Sequence, residues 1–165
     1  MKNLLFFALL TFIFSKTINA QVSKTMPADA DEFYKKSMPL LRPPVKKIVL
    51  QTAQNIKHNK INADSLSKIL NKNSVLKGMS NKDIAGITVL IMVQASKDAD
   101  ADLKQMVLEI SRQNDKDNAM TNQNDAQNAK LQTIIDRKSG MAEEISYVMK
   151  KISVPERQDI INNLK

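Results

Sequence analysis

Met79-Ser80-Asn81-Lys82-Asp83-Ile84, running straight into Ala85-Gly86-Ile87-Thr88-Val89-Leu90-Ile91-Met92-Val93, decides how this chain folds. From Ile84 to Val93 only Gly86 and Thr88 relieve the apolar character, and such a β-branched run also suits a buried strand. The residues just before it argue for a helix. Ser80 is an N-cap oxygen, Asp83 stands at the acidic third position of a capping box, and Met79 and Ile84 are placed to close over the first turn as a hydrophobic staple. No second strand is available for pairing, and the run is too short to cross a bilayer. It reads as a central helix buried on most sides, with Ala85 and Gly86 permitting close approach of another backbone.

Working towards the N-terminus, the same starting device recurs at Asn62, with Ile61 and Leu66 as the staple and Leu66, Ile69 and Leu70 as an inner face. Before it, Val45, Ile48, Val49, Thr52 and Ile56 fall on one helical face after Pro44, and that helix should end near His58 to Lys60. Residues 21–44 hold four of the five prolines. Proline removes a donor and disfavours helix in the residue before it, so this arm should be irregular, with one short helix from about Asp29 to Met38. Phe33, Tyr34, Met38, Leu40 and Leu41 are the side chains that would strap the arm onto the bundle.

Towards the C-terminus, Leu103, Met106, Ile110, Leu131, Ile134, Met141, Ile145, Val148 and Ile152 share one heptad register. A polar gap interrupts it: Gln113 to Asn128 contains eight Asn or Asp and three Gln in sixteen residues. Asn and Asp each cost up to about 0.7 kcal/mol relative to Ala in a helix interior. Two architectures follow. In one, the polar stretch is the tip or hinge of an antiparallel helical hairpin; in the other, a single helix of about 50 residues, roughly 75 Å long, joins another chain as an oligomeric coiled coil. Preserved phase favours the rod, while composition and Gly140 favour the hairpin. The hairpin is preferred because it buries every apolar stripe within one chain. Val154-Pro155 ends the arm, and Ser153 with Glu156 caps a closing helix carrying Ile160, Ile161 and Leu164.

The expected class is all-α: a helical bundle with a long hairpin or coiled-coil arm, comprising a Pro-containing arm over residues 21–43 and a helical domain over 44–165. Residues 1–20 read as a secretory signal peptide, with Lys2 as the basic start, the apolar run Leu4 to Phe14, and a small-residue end at Ala20. The exported chain begins at Gln21 and has no Cys for lipid anchoring, so a periplasmic or extracellular location is expected. Without the signal, Phe33, Tyr34 and Tyr147 are the remaining aromatics, and the core must come from Ile, Leu, Val, Ala and Met. A chain of this length buries enough surface to fold without disulfides.

Little in the sequence carries chemistry. With no Cys and one His, thiol nucleophiles and zinc ribbons are excluded, and His58 reads as a solvated residue at a helix C-terminus. Asp98, Asp100, Asp102 and Glu109 have calcium-loop spacing, but the sixth position, which needs Gly, is Leu103. Gly78, Gly86 and Gly140 are scattered singly and build no phosphate loop. Glu143 and Glu144 are neighbours whose side chains diverge by about 100° on a helix. No catalytic residue, metal or cofactor is expected.

The formal charge is +8, falling to +6 once Lys2 and Lys16 leave with the signal. Residues 21–78 carry +7, residues 79–128 carry −3 and residues 129–165 carry +2. Four Arg and three aromatics in the exported chain provide poorly for base reading and stacking, so specific nucleic-acid recognition is not expected. The leading expectation is an exported, non-catalytic helical protein that binds a macromolecule, most simply another protein, as an adaptor or in a holdase-like manner; self-association is the homo-oligomer variant. A holdase would need Met92, Met106, Met141 and Met149 along an open cleft. The second expectation is a peripheral binder of anionic envelope or membrane surfaces through Lys35, Lys36, Lys46, Lys47, Lys57 and Lys60. An unrecognised hydrolase is the third.

Overall fold

The computed structural model describes residues 25–57, 59, 62–114 and 121–165. Residues 1–24, on which the expected signal peptide and its cleavage point fall, His58, Lys60, the expected staple residue Ile61 and the link 115–120 lie outside the described residues. The described chain runs α1 (Ala28–Ser37), a 3-10 turn (Met38–Leu40), α2 (Pro43–Ile56), α3 (Ala63–Asn71), a second 3-10 turn (Ser74–Leu76), α4 (Asn81–Asn114), α5 (Thr121–Lys150) and α6 (Val154–Asn163). It is an all-α bundle, with no strand among the described residues.

The helix starts are set locally. Pro43 and Pro44 occupy the first positions of α2, where a missing N–H leaves nothing unsatisfied. Asn62 Oδ1 accepts from Ser65 N at 2.8 Å at the head of α3. At the head of α4, Ser80 Oγ accepts from Asp83 N and Asp83 Oδ2 accepts from Ser80 N, each at 3.1 Å, which is the reciprocal box expected from the sequence. Ser153 and Glu156 form a second box at the start of α6. Gly78, at φ +88°, lets the chain turn from the second 3-10 segment into α4.

The first half of α4 is the axis of the molecule. Ile84, Ile87, Val89, Leu90, Ile91, Met92, Val93 and Ala95 are all essentially inaccessible, because α1, α2, α3, α5 and α6 each pack against this helix. Removing such side chains from water contributes roughly 1.5–3 kcal/mol apiece. The one hydroxyl inside that run is satisfied: Thr88 Oγ1 donates to Ile84 O at 2.8 Å and lies 3.0 Å from Ser67 Oγ on α3.

The N-terminal arm is strapped down as its apolar residues suggest. Phe33, Met38 and Leu41 are buried, Asp31 pairs with Lys97 of α4 at 2.8 Å, and Asp29 pairs with Arg157 of α6 at 2.9 Å. Tyr34 also donates its hydroxyl to Gln94 of α4. Leu40 departs from the expectation and points outward, 46% exposed, because the 3-10 turn rotates it away from the core. Ile69 departs likewise, at 57% exposure. It stands roughly a quarter-turn off the line of Ala63, Leu66 and Leu70, which face α4.

Helices α4 and α5 form the hairpin. Lys138 of α5 pairs with Asp100 of α4. In a continuous rod two residues that far apart in sequence would be separated by roughly 57 Å, so the rod does not describe this chain. The helical backbone resumes at Thr121, inside the Asn-rich stretch, and passes through Gly140 without a break. Gly140 is therefore no hinge. Leu131, Met141, Ile145, Val148 and Ile152 are buried, as the heptad stripe implies, whereas Leu103, Met106, Ile110 and Ile134 of the same stripe are half-buried, so the hairpin does not cover the stripe completely.

Candidate docking surface

The three aspartates of the 98–102 stretch fall within a regular helix and serve three different neighbours. Asp98 accepts from Gln54 of α2 at 2.9 Å and from Gln94 at 2.8 Å. Asp100 meets Lys138 of α5, and Asp102 meets Lys57, just after α2, at 3.1 Å. These carboxylates tie α4 to the helices on either side. No cluster of three metal-ligating side chains occurs among the described residues.

Glu143 and Glu144 are likewise separated. Glu144 Oε2 accepts from Ala63 N at 2.9 Å, so a carboxylate on α5 caps the start of α3. Glu143 lines a shallow groove of about 410 Å³ between the beginning of the arm, at Thr25 and Pro27, and α5, at Ser146, Tyr147 and Lys150. Of the four methionines that a Met-lined cleft would require, Met92, Met141 and Met149 are inside the core and Met106 is half-buried.

The lysines singled out from the sequence divide into groups. Lys35 and Lys36 are paired one turn back with Asp31 and Glu32, each at 2.6 Å. Those ammonium groups hold both carboxyls below their ordinary range, Asp31 through Lys35 first and then Lys97, Glu32 through Lys36. Lys57 is largely covered and engaged by Asp102. Lys60 lies outside the described residues. Lys46 and Lys47 are exposed on the outer side of α2 and have no ion-pair partner among the described residues. Charge counting along the chain cannot complete this division, because Lys57 is set apart by Asp102, an acid that only the fold brings near.

Folding also brings up cations that the linear reading did not select. Arg42 N donates to Leu164 O at 3.1 Å, which sets the start of α2 beside the last residues of the chain. Asn163 Nδ2 donates to Asp83 Oδ1 at 3.1 Å, which adds the start of α4, and the Ser74–Leu76 turn packs against α2. One end of the bundle therefore gathers Arg42, Lys46, Lys47, Lys72, Lys77 and Lys165, all exposed. Of the acids there, Asp83 is buried, Glu156 is paired with Lys82, and Asp159 is exposed. No helix among the described residues is long and apolar enough to cross a membrane. No protein-family model, curated protein sequence or solved structure matches this chain.

Proposed function

We propose that this chain is an exported, non-catalytic helical protein that acts by binding a macromolecule, and that its partner is an anionic surface. The observation that supports this reading is the convergence of Arg42, Lys46, Lys47, Lys72, Lys77 and Lys165 at one end of the bundle, while Asp31, Asp98, Asp100 and Asp102 are engaged in contacts between helices. Six exposed cations against one exposed acid, Asp159, create a local positive potential that attracts and steers a polyanion. The burial of Met92, Met141 and Met149 means that these methionines line no open cleft among the described residues, which favours anionic attraction over capture of unfolded chains.

The test is retention on an immobilised polyanion at rising salt. Exposed charges are screened beyond about 8 Å at physiological ionic strength, so retention should fall steeply. Lys46→Glu with Lys47→Glu should weaken it further while leaving the helical circular dichroism unchanged. Retention indifferent to both changes would remove the reading. Cleavage between Ala20 and Gln21 is checked by the intact mass of secreted material, which should lack residues 1–20; a secreted species that retains Phe6 and Phe7 would refute cleavage there.

A further inference from the structure

We propose that the basic end of the bundle docks on an anionic lipid bilayer, with Leu40 and Val75 entering the interface between the cations. The proposal rests on the anionic-surface reading above and names its partner. Charge alone does not separate a lipid surface from a soluble polyanion. The apolar side chains at the same end do.

Leu40 is 46% exposed and Val75 49% exposed. Leu40 lies two residues before Arg42, at the turn that leads into α2, and Val75 lies between Lys72 and Lys77 in the 3-10 turn that packs on α2. Leu50, 40% exposed, follows Lys46 and Lys47 by one turn of α2. Isolated exposed leucines are ordinary. Here they are interspersed with six cations, which is the composition an anionic interface accommodates: lysine stems lie along the acyl boundary with their ammonium groups at headgroup level, while short apolar tips enter it. A soluble polyanion offers nothing to the leucine and valine.

The rest of the molecule fixes the orientation. Residues 79–128, which include the whole of α4, carry net negative charge, and α4 extends about 50 Å by its helical rise. The basic end therefore faces the bilayer, and the distal half of the α4–α5 hairpin points away from it.

The experiment uses residues 21–165, which include every described residue, with vesicles of phosphatidylcholine made with or without phosphatidylglycerol, and with soluble heparin in parallel. Co-sedimentation is expected with the phosphatidylglycerol vesicles and not with phosphatidylcholine alone. Neutralising Arg42, Lys46 and Lys47 together to Gln should weaken partitioning by roughly a hundredfold, whereas Lys104→Gln with Lys130→Gln, on the hairpin, should leave it unchanged. The chain has no Trp, so Leu40→Trp is a unique reporter whose emission should shift to the blue on anionic vesicles. Salt-sensitive heparin binding without vesicle binding would overturn the lipid proposal and leave the anionic reading standing. Binding to neither would overturn both. Equal weakening by the hairpin variant would refute the assigned face, and vesicle binding with no blue shift would refute the apolar insertion.

Discussion

A Cβ built on Gly86 of α4 would lie 2.6 Å from Cγ2 of Ile160 of α6, closer than two carbons approach without movement. Ile160 is itself 1% exposed, and Phe33 of the arm closes the same spot. The missing side chain is what lets α6 cross the central helix. Gly86→Ala is therefore expected to lower stability by about 1–2 kcal/mol, the overpacking penalty outweighing the gain in helix propensity. Ile160→Ala in the same chain should relieve the crowding, so the double variant should lose less than the sum of the two single losses in denaturant melts.

Gly140 is the control for that argument. It lies within α5, exposed, and an added Cβ would meet nothing within 4 Å. Gly140→Ala should raise stability by about 1 kcal/mol through propensity alone. Loss of stability there would show that α5 needs a glycine for a reason beyond the contacts described.

Ile91 is 0% exposed and Ile69 is 57% exposed, although both are isoleucines within helices. Ile91→Asp places an unpaired carboxylate in a sealed interior and should cost about 4 kcal/mol or more, or force that group to remain protonated. Ile69→Asp should fall within about 0.5 kcal/mol of the parent. Thermal melts of the two variants side by side test the placement of α4 as the axis.

The contrast between these residues shows what was legible in the sequence. The caps at Asn62, Ser80 with Asp83, and Ser153 with Glu156 act over three residues, so the linear pattern contains all of their physics. The burial of Ile84 to Val93 followed from having no polar face at all. Ile69 was misplaced because two inner-face lines fit the α3 pattern, and only the direction of α4 selects between them. Gly140 favours a hairpin on sequence grounds because an isolated glycine weakens a helix, but Met141 and Ile145, buried on one face of α5, hold that helix continuous. The docking face was half legible. The pairs Asp31 with Lys35 and Glu32 with Lys36 are four residues apart and could be read directly, which leaves Lys46 and Lys47, exposed on α2 with no ion pair among the described residues. Lys57 with Asp102, and Arg42 beside Leu164, join distant segments and required the fold.

Glu156 sets an acid limit on the closing helix. Its carboxyl is held at about 2, against 4.5 for a free glutamate, first by Lys82 and then by the Ser153 N–H and hydroxyl. A depressed folded value means the contribution is complete above 4.5 and is lost as pH falls towards 2. The difference in melting temperature between the parent and Glu156→Gln should thus be constant from neutrality to about pH 5.5 and shrink below pH 4.5. Lys82→Gln should narrow the difference throughout and complete its decline at higher pH, because the onset is set by the unfolded value and only the folded value rises. A gap that widens on acidification would contradict the cap.

The pairing of Asp100 with Lys138 tests the hairpin itself. The chain has no Cys, so Asp100→Cys with Lys138→Cys introduces the only two thiols. Both sites are at the surface of the α4–α5 seam and contribute one exposed ion pair, worth about 0–1 kcal/mol, so the variant should fold. A short bismaleimide should then join the two thiols within one chain, giving a monomer that migrates faster than the uncrosslinked form under denaturing conditions, at a yield independent of protein concentration. In an extended rod, thiols roughly 57 Å apart along one helix could react only with those of another chain. Crosslinked dimers whose yield rises with concentration, with no fast-migrating monomer, would refute the hairpin and make assembly between chains the way this sequence covers its heptad stripe.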